Sequence, residues 1–110
     1  MRGYARELGL LDRRFQFEWD EVKAAANVRK HGVSFDHART IFYDPLLLTV
    51  ADLEHGENEE RWFSIGRAAS DSVLSVIYLW SETETGITKI RIISARKATV
   101  TEMRQYEDVP

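Results

Sequence analysis

The 110-residue sequence predicts a single α+β domain in which three helices pack on one face of an antiparallel β-meander. Two observations support this prediction. Segments with helical apolar spacing and capping residues lie near both ends, and four strand-like runs separated by short turns lie between them. Connections of about two to six residues favour antiparallel neighbours, because parallel strands need a longer crossover. The expected order is β-α-α-β-β-β-β-α.

The N-terminal part is expected to contain an extension, a strand and a helix. Residues 1–14 are predicted to form the extension, and residues 15–110 the folded domain. Alternating apolar and polar residues predict a strand over Phe15–Trp19. Asp20 is suited to cap a helix over Glu21–His31, which the following glycine ends. The packed face of this helix is predicted to consist of Val22, Ala25, Ala26 and Arg29.

The remaining elements follow from local signals of the same kind. Ser34 is suited to cap a second helix over Phe35–Tyr43, which ends before Pro45 because residues that precede proline avoid the helical region. The predicted meander strands are Leu46–Asp52, Arg61–Arg67, Val73–Trp80 and Thr88–Ala95. A capping box formed by Thr99 and Glu102 predicts a last helix over Val100–Glu107.

The composition excludes several classes of protein. There is no cysteine, which excludes disulfides, thiolate zinc sites and thiol catalysis. No apolar run approaches the roughly 20 residues that cross a bilayer, and the N-terminus lacks an apolar signal core, so we expect a cytoplasmic protein. No cofactor and no metal are expected. The acid-rich cluster is interpreted as a solvated turn, because its spacing matches no defined metal loop; it contains Asp52, Glu54, His55 and Glu57.

The charges are segregated along the chain. The net charge of −3 argues mildly against nucleic-acid binding. From Phe42 to Glu60 there are six acidic residues and no Lys or Arg, whereas from Gly86 to Tyr106 there are five basic residues and one acidic residue. Because salt screens charges beyond about 8–10 Å, a local cationic field can hold a phosphate on an acidic protein.

The motifs Lys30-His-Gly-Val-Ser-Phe35 and Arg91-Ile-Ile-Ser-Ala-Arg-Lys-Ala98 are specific when they occur together. They resemble the motifs of BrnT-type toxins. Phe17-Glu-Trp-Asp20 also matches, and the resemblance extends from about Phe17 to Glu107. One stretch departs from the pattern. Many relatives carry a Tyr-Thr-Glu-Arg-like segment where this chain has Tyr78-Leu-Trp-Ser81, so the hydroxyl of the threonine and the cation of the arginine are absent.

The resemblance implies a RelE-like fold and a toxin of a type II toxin–antitoxin pair. The implied activity is that of an endoribonuclease that cleaves cellular RNA and thereby inhibits translation. The implied partner is a BrnA-type antitoxin, which neutralises the toxin in a hetero-oligomer. Operator DNA would be contacted only through the antitoxin.

Cleavage of RNA without a metal requires a base, an acid and cations that stabilise the phosphorane. His31 is the candidate acid–base group, because histidine titrates near neutral pH. Arg91 and Arg96 are the candidates for charge stabilisation, chiefly on the resemblance, since a guanidinium pairs with two phosphate oxygens. Strand alternation places these two arginines on opposite faces unless a bulge intervenes.

Further contacts to RNA or phosphate are predicted for Lys30, Arg61, Ser94, Lys97 and Tyr106. Each of these residues also has a purely structural interpretation. Lys30 suits a solvated surface, and Arg96 and Lys97 suit surface ion pairs with Glu102 or the acidic turn. Arg61 suits stacking on the neighbouring indole or pairing with Glu59. Ser94 suits a hydrogen bond to the backbone, and Tyr106 the packing of the last helix.

The sequence therefore leaves three hypotheses about function. The first is a metal-independent endoribonuclease acting through His31, Arg91 and Arg96. The second is a catalytically weakened toxin-like module that only binds its antitoxin, which the altered Tyr78–Ser81 stretch favours. The third, direct DNA binding, is disfavoured because the chain is acidic and lacks a helix-turn-helix pattern.

Overall fold

A computed structural model describes residues 14–51 and 61–108, and the expected order of elements is confirmed within them. The strands are β1 (Phe15–Glu18), β2 (Leu48–Ala51), β3 (Arg61–Arg67), β4 (Val73–Glu82) and β5 (Thr88–Lys97). The helices are α1 (Glu21–His31), α2 (Phe35–Ala38) and α3 (Val100–Asp108), with a 3-10 helix (Arg39–Tyr43) directly after α2. None of the described helices could span a membrane. The expectations for residues 1–13 and for the cluster Asp52, Glu54, His55 and Glu57 lie outside the described residues.

The three predicted helix starts are confirmed by their capping hydrogen bonds. The Asp20 carboxylate accepts from two backbone amides in the first turn of α1, and Gly32 ends that helix with a φ of 70°. The Ser34 hydroxyl accepts from the amide of His37 at 3.0 Å. At α3, Thr99 N donates to Glu102 at 2.9 Å, and Glu102 N donates to the Thr99 hydroxyl at 3.1 Å. These local signals fix where the helices begin.

The second predicted helix is not one continuous α-helix. It changes to 3-10 geometry at Arg39, in a segment packed against β3. The Thr40 hydroxyl donates to the carbonyl of His37 and accepts from the amide of Ala69. A side chain that bonds backbone groups in this way competes with the regular helical ladder, and the tighter 3-10 turn results.

The sheet is mixed, so the prediction of a purely antiparallel sheet is wrong. The strand order is β1-β5-β4-β3-β2, and β2 to β5 form the expected antiparallel meander. The first strand instead pairs with β5 in parallel, with Phe15 opposite Thr88. The long chain between β1 and β5 supplies the crossover that parallel pairing requires. The meander leaves one edge of β5 open, and β1 occupies the first part of it.

The helices lie on both faces of the sheet, so the prediction that they share one face is also wrong. Alternate residues of β4, such as Val76 and Tyr78, pack in one cluster with Phe35 of α2 and Phe42 of the 3-10 helix. Tyr106 and Met103 of α3 instead pack in a second cluster, whose strand members Ile65 and Val73 point to the opposite face. We call these the α2 face and the α3 face. The short turn after β5 carries α3 across to its own face.

The α1 helix docks on the sheet through Asn27 rather than through its predicted apolar face. Val22 is 77% exposed, and the other predicted contacts (Ala25, Ala26 and Arg29) are exposed as well. The buried Asn27 carboxamide donates to the carbonyls of Ala95 and Val33 at 2.7 and 2.9 Å, and accepts from the amide of Ala95 at 3.2 Å. Asn27 thereby continues the hydrogen bonding of the β5 edge beyond the end of β1.

Replacing Gly66 by alanine is expected to destabilise the fold by about 1–3 kcal/mol, because the added methyl group overpacks the core. A Cβ at this position would lie 2.7 Å from Leu47 Cδ1, 3.0 Å from Ile41 Cβ and 3.3 Å from the Ile41 carbonyl oxygen. Chemical denaturation of the two proteins measures the difference. An alanine variant as stable as the wild type would show that the 3-10 helix can move away from β3.

Candidate active site

A β-bulge in β5 places Arg91 and Arg96 on the same face of the sheet. Opposite β4, Ile77 pairs with Ser94 but its neighbour Tyr78 pairs with Ile92, so β5 has one extra residue between these pairs. Arg91 then lies opposite Leu79, and Arg96 lies opposite Ser75. The bulge restores to one face two residues that simple alternation would separate.

Arg61 and Ser94 share the α3 face with these two arginines. Arg61, Leu79, Arg91 and Glu18 lie directly beside one another on β3, β4, β5 and β1. Among the described residues, α3 packs only on the end of this face that contains Ile65 and Val73. The rest is called the open half, and it contains the partly buried side chains of Arg61, Ile77, Leu79, Arg91 and Ser94.

Arg91 lies in an ion-paired group within the open half. Its Nη1 donates to Glu18 Oε2 at 2.8 Å, and Lys89 Nζ lies 3.3 Å from Glu18 Oε1. Hydrogen bonds from Arg91, and then from Lys89, hold the pKa of Glu18 below its ordinary value. In the described chain, Arg91 donates only through Nη1, and its side chain is 43% exposed. Most of its N–H groups are therefore available to a ligand.

The guanidinium group of Arg96 makes more hydrogen bonds within the protein than that of Arg91. Its two terminal nitrogens donate to the two carboxylate oxygens of Glu102 at 2.7 and 2.9 Å. Glu102 also accepts from the Ser75 hydroxyl at 2.8 Å and caps α3 through Thr99. The Arg96 hydrogen bond lowers the pKa of Glu102 to about 2, and the same bond raises the pKa of Arg96. This pair joins α3 to the sheet.

The two arginines do not form one pocket around a single phosphate. Their partners on β4, Leu79 and Ser75, are two pairs apart on the same face, which is about 13 Å at the strand rise. Their guanidinium groups also form ion pairs with different carboxylates: Arg91 pairs with Glu18, and Arg96 pairs with Glu102. The arrangement is a row of cations suited to successive phosphates of one strand.

His31 lies at the sheet edge, near the Arg96 end of β5. It is half-buried on the same side of α1 as Ala24 and Asn27, and Asn27 binds Ala95. His31 follows Asn27 by about one helical turn, and the residue that Asn27 binds, Ala95, is next to Arg96 in β5. In residues 14–51 and 61–108, no ion pair or hydrogen bond involves the His31 side chain.

The other predicted contact residues are more dispersed. Lys30 is exposed near the C-terminus of α1, and Lys97 lies opposite Leu74, whose side chain belongs to the α2 face. Tyr106 is only 4% exposed, and its hydroxyl donates to Asp44 Oδ2 at 2.6 Å. Burial and the neighbouring Asp44 raise the pKa of Tyr106. The hydrogen bond from Tyr106 to Asp44 joins α3 to the turn before β2.

Sequence reasoning missed Glu18 and Lys89 as members of the site. Glu18 was visible in the motif Phe17-Glu-Trp-Asp20, and Lys89 lies two residues before Arg91. Alternation shows which residues of a strand share a face, but it does not identify the neighbouring strand. The parallel pairing of β1 with β5 is what joins Glu18 to the two cations.

A family model described as "Ribonuclease toxin, BrnT, of type II toxin-antitoxin system" matches residues 19–102, most of the chain. The chain belongs to the BrnT family of ribonuclease toxins. The predicted enzyme class, an endoribonuclease, is thereby confirmed, and a toxin of a type II system implies an antitoxin partner. No curated protein matches the chain by sequence.

The fold of this BrnT-family chain is similar to a solved one. The crystal structure of the Brucella abortus ribonuclease toxin BrnT matches it with a TM-score of 0.55 and 23% sequence identity. The match covers 78% of this chain and 97% of that chain. At this level of identity the likeness establishes a shared α+β fold.

Replacing Glu102 by glutamine in this BrnT-family chain is expected to reduce its stability at pH 7 by about 2 kcal/mol. The folded-state pKa of about 2 lies below the ordinary value. The carboxylate therefore stabilises the fold fully above about pH 4.3, and this contribution is lost as the pH falls from there towards 2. Urea denaturation at pH 7 and pH 3 measures the effect, which should be much smaller at pH 3.

The matched control for this prediction is Glu107→Gln, because Glu107 is an exposed residue of the same helix. We expect this control to leave the stability unchanged within about 0.5 kcal/mol. Equal effects of the two substitutions would show that the ion pair between Arg96 and Glu102 does not hold α3 on the sheet.

Proposed function

We propose that this chain is a metal-independent endoribonuclease that cleaves cellular RNA in the cytoplasm and thereby inhibits translation. Residues 15–110 form the toxin domain on a RelE-like fold, and residues 1–14 are an extension. A BrnA-type antitoxin neutralises the toxin in a hetero-oligomer, and operator DNA is contacted only through that antitoxin. The family match supports the enzyme class. The α3 face supports the choice of substrate.

The observation that supports RNA as the substrate is the row of cations on the α3 face. Arg61 lies on β3 and Arg91 and Arg96 lie on β5, yet all three share this face, although the chain has a net charge of −3. A single RNA strand carries one negative charge per nucleotide, and several arginines spaced along a surface can bind successive phosphates. The apolar side chains of Ile77 and Leu79 between them suit the faces of unstacked bases.

Each predicted residue then has a role according to its place along this row. Arg91 and Arg61 hold the phosphate in the open half, where guanidinium N–H groups remain available. Arg96 and His31 contact the RNA strand at the other end of the row. Ser94 lies between Arg91 and Arg96 and contacts the same RNA strand. Lys30 and Lys97 are outer contacts beyond the α3 face, and Tyr106 contributes only after its bond to Asp44 opens.

The test is RNA cleavage by the purified full chain, freed of antitoxin, in excess EDTA. We expect fragments that end in a 2′,3′-cyclic phosphate, which is the product of attack by the neighbouring 2′-hydroxyl. The double variant His31→Ala, Arg96→Ala is expected to cleave more slowly. Cleavage that requires added Mg²⁺, or the absence of cleavage, would contradict the proposal.

A second candidate function is a toxin-like module that binds its antitoxin without cutting RNA. The ion pairs favour this alternative, because Glu102 binds both terminal nitrogens of Arg96 and Glu18 binds one nitrogen of Arg91. The two candidates differ when the chain is expressed without antitoxin. Growth arrest with fragmented RNA supports the enzyme, whereas unaffected growth and intact RNA support the binding module.

A further inference from the structure

The open half contains the carboxylate of Glu18 between two cations, Arg91 and Lys89. Of the two acidic residues on the described strands, Glu18 and Glu82, only Glu18 lies on the α3 face. It is the last residue of β1 and lies directly beside Arg91. Its side chain is 35% exposed, so a bound ligand can reach it.

The chemistry of RNA cleavage requires a proton acceptor close to the reacting phosphate. A general base acts only within hydrogen-bond reach of the proton that it removes, about 2.6–3.2 Å. A phosphate bound by Arg91 lies next to Glu18, because these two side chains are in contact at 2.8 Å. His31 lies at the other end of β5, so it does not reach the same phosphate.

We propose that Glu18 is the general base of the RNA cleavage reaction, with Lys89 as the general acid. Glu18 takes the proton of the 2′-hydroxyl while the 2′-oxygen forms a bond to phosphorus. The bond from phosphorus to the 5′-oxygen breaks, and the Lys89 ammonium group donates a proton to that leaving oxygen. Glu18 then returns its proton to the neutral Lys89 amine, which lies 3.3 Å away in the resting pair.

Substrate binding is expected to make the Glu18 carboxylate a stronger base. In the free protein, Arg91 and Lys89 hold the pKa of Glu18 below its ordinary value, so the group is ionised at neutral pH. A phosphate that binds both cations weakens their contacts to Glu18. The carboxylate then becomes more basic at the moment when it faces the 2′-hydroxyl. This inference rests on the proposed function, because it requires RNA on the α3 face.

The first test is Glu18→Gln in the full-length chain. We expect the cleavage rate at saturating RNA to fall about 10²–10⁴-fold, the usual contribution of a general base. Affinity for an uncleavable 2′-O-methyl RNA is expected to stay the same or increase, because the carboxylate that competes with phosphate for Arg91 and Lys89 has been removed. A purely structural residue would not separate cleavage from binding in this way.

The matched control is Asp36→Asn. Asp36 makes a comparable exposed ion pair with Arg39 at 2.9 Å, but α2 and the 3-10 helix pack against the other face. This variant is expected to cleave and bind RNA as the wild type does. It measures the effect of losing one surface carboxylate without touching the α3 face.

A second variant decides the question if Glu18→Gln folds poorly. In Glu18→Ala, added formate can occupy the vacated space and accept the proton, so cleavage should increase with formate concentration. The wild type should show no such increase. Absence of rescue, together with loss of RNA binding and a lower melting temperature, would assign Glu18 a structural role and overturn the inference.

The outcomes separate this inference from the function on which it rests. If the wild-type chain does not cleave RNA, both the ribonuclease proposal and the assignment of Glu18 as general base are wrong. A wild type that cleaves, beside a Glu18→Gln variant that cleaves equally fast, removes only the assignment of Glu18. Loss of cleavage in that variant with RNA binding intact supports both.

Discussion

Replacing Arg91 by glutamine is expected to lower the rate of RNA cleavage about 10²–10³-fold, the effect of removing one transition-state hydrogen-bond donor. Arg91 lies in the centre of the open half, between Leu79 and Glu18, and donates only through Nη1 within the described chain. Its remaining N–H groups can bind the phosphorane oxygens as their negative charge increases. Initial rates with a labelled RNA at fixed ionic strength measure the effect.

The salt dependence of RNA binding gives an independent measurement on the same variant. Each phosphate contact to a single strand contributes a slope of about −0.7 in a plot of log affinity against log salt. Loss of Arg91 should therefore reduce the slope by about that amount. A variant with wild-type cleavage and an unchanged slope would show that the open half does not hold the reacting phosphate.

Arg39→Gln is the matched control for this experiment. Arg39 pairs with Asp36 at 2.9 Å and is about as exposed as Arg91, but it begins the 3-10 helix, which packs on the α2 face. We expect its cleavage rate to stay within about twofold of the wild type. Because an exposed ion pair contributes only about 0–1 kcal/mol, neither substitution should change the melting temperature much.

Replacing Asn27 by alanine is expected to destabilise the chain by about 3–5 kcal/mol. The substitution removes the partner of three backbone groups: the amide and carbonyl of Ala95 and the carbonyl of Val33. Asn27 is buried, so these groups lose a hydrogen bond without free access to water. The free energy of unfolding in urea measures the loss.

Two further variants show which property of Asn27 matters. Asn27→Asp retains the shape of the side chain but cannot donate when ionised, so it is expected to be nearly as unstable as the alanine variant. Lys23→Ala, on the exposed side of α1, should leave the stability unchanged within about 0.5 kcal/mol. If Asn27→Ala loses less than 1 kcal/mol, water reaches the β5 edge and replaces the carboxamide.

Local features of the fold could be predicted from the sequence, whereas long-range pairing could not. Asp20, Ser34 and Thr99 each bond amides within three residues, so their pattern is visible in a short stretch of sequence. The pairing of Phe15 with Thr88 depends instead on which sheet edge is left open once the meander has formed. The apolar spacing of α1 predicted the wrong packed face, because one polar residue, Asn27, determines how this helix docks.

The candidate site could be predicted only in part, because its assembly also depends on long-range strand pairing. The two arginines were identified from a family motif, but their shared face depends on a bulge opposite Ile77 and Tyr78. Nothing in the β5 sequence requires that bulge, since Ile92, Ile93 and Ser94 would also fit an uninterrupted strand. Glu18 joins the site only through the neighbouring strand, so reading β5 alone could not identify it.

The parallel pairing of β1 with β5 also determines when the toxin can become active during its own synthesis. Glu18 and Arg91 are 73 positions apart in the chain, so their contact must wait until β5 has left the ribosome. A nascent chain that stops before β5 has neither Arg91 nor Arg96. The ribosome is thus not exposed to an assembled α3 face until β5 has been synthesised and has paired with β1.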